Sequence, residues 1–165
     1  MVGLPWAQHV AFLDDRSLVA NIEESVQAGV AQCCGHPAVL CYALGNEIPP
    51  SIVRWHGAQR VQRFLKRLYA IGKAQDPGAL FTYVNFPTTE YLELPFVDVV
   101  TFNVYLHQRR DFCKYLSRLQ HLAGELPLVM TELMAPGTVG WGRRGVGARA
   151  VVVAHGAQGP AHAPQ

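Results

Sequence analysis

The chain has 165 residues, half of them hydrophobic and 16% charged, which argues against disorder and leaves length for one domain with a substantial core. A formal net charge of +2 gives no footprint for a nucleic-acid partner. The densest basic group, Arg60, Arg63, Lys66 and Arg67, recurs at helical spacing and reads as a solvated helix face.

No charged stretch followed by an apolar one opens the chain, and no run approaches the roughly 18 apolar residues that span a membrane. The expectation is a soluble, cytoplasmic chain without membrane insertion. Its cysteines, Cys33, Cys34, Cys41 and Cys113, show no CxxC spacing for zinc and fit a reducing compartment.

In chain order, Val2 to Trp6 reads as a strand end that leaves the sheet at Pro5. Asp14 or Asp15 then caps a helix from about Ser17 to Cys34, whose apolar positions Leu18, Ile22, Val26 and Val30 recur every four residues. Val39 to Leu44 is a continuous apolar run, the kind buried on both faces of a parallel sheet. A long helix is predicted over Ile52 to Ala74, with Val61, Leu65, Leu68 and Ile71 inward. Leu80 to Val84 is the next strand, and Thr88 to Leu94 a short helix in which Glu90 and Glu93 are solvated. Val97 to Val104 is a strand, Asp111 to Leu122 a helix and Pro127 to Thr131 a further strand. Strand, helix and strand in alternation imply a parallel α/β architecture.

From Ala135 the pattern breaks into Gly, Ala, Arg, Pro and Val without a helical stripe. Residues 1–134 read as the folded unit and 135–165 as a low-complexity, irregular or out-of-frame tail, with Val151 to Ala154 an isolated strand.

Two glutamates carry the chemistry. Glu47 ends the run Ala38-Val39-Leu40-Cys41-Tyr42-Ala43-Leu44-Gly45-Asn46-Glu47, and Glu132 ends Leu126-Pro127-Leu128-Val129-Met130-Thr131-Glu132. A carboxylate at the end of a buried strand sits on a rigid support and faces a cleft. Two of them from parallel strands of one barrel are the apparatus for cleaving a glycosidic bond.

The stretch His36-Pro37-Ala38-Val39 through Gly45-Asn46-Glu47 resembles the fourth-strand motif of retaining glycoside hydrolases with a (β/α)8 barrel, the clan of β-galactosidases, β-glucuronidases and many β-glucanases. In that clan an Asn-Glu pair ends the fourth strand and a second Glu the seventh. Counting Leu80 to Val84 as fifth and Val97 to Val104 as sixth puts Thr131-Glu132 on the seventh. Tyr83-Val84-Asn85-Phe86-Pro87-Thr88-Thr89-Glu90-Tyr91-Leu92 and Phe102-Asn103-Val104-Tyr105-Leu106 resemble a bacterial subgroup whose barrel occurs alone or fused to a membrane-associated family 2 glycosyltransferase. The resemblance covers about residues 2–133. It implies a partial TIM (β/α)8 barrel, about strands 3 to 7, lacking the first two strands and the closing helix and strand.

By the resemblance Glu47 is the acid/base and Glu132 the nucleophile, so the substrate is a β-linked glycan or glycoside and no cofactor or metal is needed. Asn46 bonds the sugar 2-hydroxyl, and Tyr105 donates its hydroxyl to Glu132. Trp6, Tyr83 and Phe86 offer faces for stacking on sugar rings, with core or rim packing the equal alternative, and Asn85 is placed with them as substrate-binding. A retaining mechanism predicts carboxyl groups about 5–5.5 Å apart, against about 6.5–9.5 Å for inversion. Two other readings stand beside this one. The first is a carbohydrate-binding or structural remnant without catalysis. The second is a metal-dependent barrel using Glu47, Glu132 and a histidine, although His9, His36, His56 and His107 show no ligand spacing.

Overall fold

The structure, a computed structural model, describes residues 1–133 and 152–154. The rest of the tail expected over 135–165 lies outside the described residues. In order, the elements are β1 (Val2–Gly3), α1 (Arg16–Cys33), β2 (Cys41–Asn46), α2 (Pro50–His56), α3 (Ala58–Gln75), β3 (Leu80–Asn85), β4 (Val100–Val104), α4 (Arg109–Ala123), β5 (Leu128–Leu133) and β6 (Val152–Ala154). The strands neighbour one another in chain order. β1 to β5 pair in parallel, and β6 joins β5 antiparallel, so the short strand expected near 151–154 is not isolated. The result is an α/β parallel half-barrel of five strands with helices on its outer side.

Asp15, not Asp14, caps α1: its carboxylate accepts from the backbone amides of Ser17 at 2.8 Å and Leu18 at 3.3 Å. The helix then buries Ile22, Val26 and Val30. The single helix expected over Ile52 to Ala74 is two. Gly57, at φ 81°, takes a left-handed turn that an L side chain resists, and its N–H closes α2 on the Val53 carbonyl at 2.8 Å. α3 restarts at Ala58 and buries Val61, Phe64, Leu65 and Leu68.

The interior divides in two. Leu4, Phe12, Tyr42, Leu44, Leu65, Leu68, Phe81 and Tyr83 belong to a core between the helices α1 to α3 and the outer faces of β2 and β3. Phe102, Val104, Leu119, Leu128 and Met130 form a smaller one beneath α4. The separation follows from the β3–β4 connection, which holds a 3₁₀ turn at Pro87–Thr89 in place of the short helix expected to Leu94. That connection is tied to α4 instead. Glu90, expected to be solvated, accepts from Arg118 Nη2 at 2.6 Å and Tyr115 Oη at 2.8 Å. The Arg118 guanidinium holds the Glu90 carboxyl below its usual range. β4 also starts later than predicted, because Asp98 turns back on β3: its carboxylate accepts from the Phe81 amide at 2.8 Å, and its own N–H donates to the Phe81 carbonyl at 2.9 Å.

The basic stripe is exposed, as its spacing predicts, and is partly paired: Arg60 to Asp14 at 3.2 Å and Arg67 to Glu23 at 2.7 Å. Asp14 also accepts from Trp55 Nε1 at 2.6 Å. Behind this cluster His56 is buried, with Nε2 accepting from the Leu13 amide at 3.4 Å and Nδ1 3.6 Å from Asp14 Oδ1. Burial pushes the imidazole below its ordinary value; Asp14 opposes this and Arg60 adds to it. A folded-state value below the unfolded one, about 6.5, means the unfolded chain takes up the proton first. Stability from this site is therefore full above about pH 6.5 and lost as pH falls through the depressed value. Urea midpoints at descending pH should drop over that window, and His56→Gln should flatten the drop. An unchanged slope in the variant would place its origin elsewhere.

All four cysteines are free thiols, with Cys41 buried in β2. Among the described residues no helix is long and apolar enough to cross a membrane.

Candidate active site

Glu47 and Glu132 stand at the same end of the sheet, the carboxyl ends of β2 and β5. At both, the ladder is irregular: the β2–β3 register shifts between Ala43 and Asn46, and the β4–β5 register between Phe102 and Asn103. Such irregularities re-aim side chains and recur beside active sites. They place Asn46 level with Val84, and Asn103 level with Glu132.

Glu47 is the one non-glycine among the described residues with positive φ, at 51°. A side chain in the left-handed region costs about 1–2 kcal/mol and persists only when its surroundings over-determine it. Here three consecutive amides are held. Asn46 N–H donates to Gln8 Oε1 at 2.9 Å, Glu47 N–H to the Val84 carbonyl at 2.9 Å, and Ile48 N–H to the Tyr83 hydroxyl at 2.8 Å. The backbone is thereby bent at the residue that would do the chemistry, and the Glu47 side chain stays partly exposed.

Beside Glu47 lies Asn103, 1% exposed. Its Nδ2 donates to Glu47 Oε1 at 2.9 Å and to Asn46 Oδ1 at 3.1 Å. Its Oδ1 accepts from the Thr131 hydroxyl at 2.6 Å, one residue before Glu132. Tyr105, two residues beyond Asn103 and exposed, donates its hydroxyl to Glu132 Oε2. Burial, that hydrogen bond and the charges of Glu132 and Glu47 all push the Tyr105 phenol up, so it remains a donor at neutral pH. The structure thus joins Glu47, Asn46, Asn103 and Thr131 in one hydrogen-bonded group, and Tyr105 with Glu132 in a second, adjoining it in sequence at Thr131. Asn103 carried no role in the sequence reading; the signal for it was an amide in the strand run Val99 to Val104, where the other residues are apolar apart from Thr101.

The remaining residues expected at the site are placed otherwise. Trp6 packs edge-on against Phe12 with ring centroids 4.9 Å apart, and its Nε1 donates to the Leu44 carbonyl at 2.7 Å. It keeps one edge on a cleft of about 310 Å³ shared with Pro5, Gln8, Gly45 and Asn46. Tyr83 takes the packing alternative, and Asn85 departs from the substrate-binding expectation. Strand alternation turns them to the helix side, where they are 2% and 4% exposed. Asn85 is consumed by its own loop, accepting from Phe86 N–H and Thr89 Oγ1 and donating to the Thr89 carbonyl. Tyr83 acts on the site from behind, through Ile48. Both line a groove of about 350 Å³ shared with Glu90, Leu92, Phe102 and Leu122, whose lining includes neither Glu47 nor Glu132. Among the described residues no three His, Cys, Asp or Glu side chains gather as a metal-ligand group.

No protein-family model matches the chain, and a search of curated proteins finds no match. Solved structures do match. A Bacteroides uniformis β-glucuronidase superposes with a TM-score of 0.63 at 20% identity, over 73% of this chain and 16% of that one. A Ruminococcus gnavus β-glucuronidase, solved in complex with D-glucuronic acid, gives 0.58 at 16% identity over 70% and 21%. A Thermobacillus composti GH10 xylanase gives 0.50 at 12% identity over 77% and 47%. The likeness is one of fold, a segment of TIM barrel as found in glycoside hydrolases, and the chain spans less than a quarter of either glucuronidase.

Proposed function

We propose that this chain carries the catalytic half of a retaining glycoside hydrolase acting on β-linked glycans or glycosides, with Glu47 as acid/base and Glu132 as nucleophile. One observation supports it above the others: Asn103 bonds Glu47 directly and sits level with Glu132 in the sheet, as expected of two carboxyl groups that serve one opening. A glycosidic oxygen is a poor leaving group. Its departure needs a proton from one side and capture of the cationic sugar carbon from the other. Glu132, accepting from Tyr105, is oriented for capture, and Glu47, braced on a bent backbone, is oriented for proton transfer. Asn46, exposed beside Glu47, is the donor for a sugar 2-hydroxyl. The glucuronide and galactoside names of the fold neighbours make such sugars the first to test. Fusion of relatives to a family 2 glycosyltransferase belongs to the same proposal through the subgroup resemblance.

A second reading is a carbohydrate-binding or structural chain without turnover. The observation behind it is that β1, at the edge of the described sheet, has only two residues, leaving little wall on the Trp6 side of the cleft. Incubation with a cyclophellitol-type aziridine separates the two. Such a probe is opened by the attacking carboxylate and stays bonded to it. Mass spectrometry should find one label, on the peptide holding Glu132, absent from Glu132→Gln. No label together with no hydrolysis of aryl β-glycosides would favour the second reading, and a label elsewhere would reassign the nucleophile.

A further inference from the structure

We propose that Thr131 and Asn103 form a positioning relay that decides which oxygen of Glu47 carries the catalytic proton; this rests on the acid/base reading of Glu47 above.

The relay begins with a hydroxyl that has little choice. Thr131 is 9% exposed, so its single O–H proton must find a protein acceptor. Two are in reach, Asn103 Oδ1 at 2.6 Å and the Phe102 carbonyl at 3.3 Å, and the shorter contact takes it. With Oδ1 accepting there, the amide of Asn103 can point only its nitrogen at the site. Both N–H groups are then used, on Glu47 Oε1 and Asn46 Oδ1. Turning the amide over while Glu47 is ionised would set Asn103 Oδ1 against both Asn46 Oδ1 and Glu47 Oε1, acceptor to acceptor, with no proton among them.

A donor resting on Oε1 makes that atom the carbonyl-type oxygen of the neutral carboxylic acid. The proton is left to Oε2. In the first half-reaction the Oε2 proton passes to the glycosidic oxygen as its bond to the sugar carbon breaks and a Glu132 oxygen bonds that carbon. In the second half Oε2 takes a proton from water as the water oxygen displaces Glu132. Oε1 keeps the Asn103 hydrogen bond throughout, so the carboxyl group need not rotate between halves. The irregular register between Phe102 and Asn103 serves both carboxylates: it sets Asn103 level with Glu132 while Thr131 leans on Asn103. The strand that bears the nucleophile thereby aims the acid.

The side-chain NH2 signals of Asn103 in nitrogen-15 spectra of the whole chain provide the test. In the unsubstituted chain they should move when Glu47→Gln is introduced. In Thr131→Val, which removes the donor and keeps the shape, that response should fall by about half or more. Thr131→Ser should restore it, and serves as the second variant should the valine disturb folding. Signals that ignore Glu47→Gln, or respond equally with and without the Thr131 hydroxyl, overturn the relay whether or not the chain is an enzyme. On aryl β-glycosides Thr131→Val should cost about tenfold with poor leaving groups, part of the roughly 10²–10⁴-fold worth of a positioned acid, and under twofold with good ones. An equal loss across leaving groups marks a merely structural threonine and also overturns it. The functional reading fails separately, if Glu132 takes no label and no glycoside is cleaved.

Discussion

Glu47→Gln is expected to lower hydrolysis of β-glycosides with poor leaving groups by about 10²–10⁴-fold, the usual contribution of a positioned general acid. The amide keeps the size of the carboxyl group and still offers Oε1 to Asn103 Nδ2, so the fold should survive. What it lacks is a transferable proton. Glycosides whose leaving group departs as a stable phenolate need no such proton, and their first step should fall far less. For them the second step becomes slow, because no base is left to activate water. Azide, which needs no base, should restore turnover and give a glycosyl azide of the same anomeric configuration as the substrate. A uniform loss across leaving groups, with no azide rescue, would take the acid/base role from Glu47.

That expectation differs from one for Glu132 because the two glutamates are supported differently. Glu132 lies within β5 and has a phenol donating to it, which holds one carboxyl oxygen in place. Glu47 lies just past β2, on a left-handed residue whose neighbouring amides are tied to Gln8, Val84 and Tyr83. Those ties come from two segments, the loop after β1 and β3 itself, so the bend at Glu47 depends on both being in place.

The sequence displayed some of this plainly. Apolar runs bounded by turn residues located β2, β3 and β5, and counting them put both glutamates at strand ends of one parallel sheet. The pairing of Tyr105 with Glu132 was what the family resemblance implied. What the sequence hid was the phase of side chains near the site. Strand alternation assigns faces only while the ladder is regular, and it is irregular at Asn46 and at Asn103. Tyr83 and Asn85, placed among the substrate-binding residues, follow the regular alternation of β3 to the helix side, whereas past the irregular register it is Asn103 that reaches Glu47. Its contacts span 56 and 28 positions, and no local pattern encodes those. Likewise the break at Gly57 needed a left-handed turn that a stripe of apolar spacing cannot reveal.

The scaffold beneath the site makes the second large prediction, at Phe81. Its ring is fully buried, stacked on Tyr42 at 5.3 Å and edge-on to Tyr69 at 5.9 Å, with the Lys73 ammonium 5.6 Å from its centre. Phe81→Ala should cost about 3–5 kcal/mol, a large part of the roughly 5–15 kcal/mol that holds a domain together. Gly72 of α3 supplies a sharper test of the same contact. A Cβ built there would stand 2.4 Å from Phe81 Cε1, closer than atoms pack. In an open helix Gly→Ala stabilises by about 1 kcal/mol, whereas overpacking a rigid ring costs about 1–3 kcal/mol. Against the intact ring the clash should win, and Gly72→Ala alone should destabilise. With Phe81→Ala already present, the new methyl enters vacated space and the helix preference should emerge, reversing the sign. Urea midpoints of the four proteins in this cycle measure the coupling directly. Additive effects would mean that α3 does not press on β3 at this point, and the support proposed for the strand leading to Tyr83 would have to be sought elsewhere.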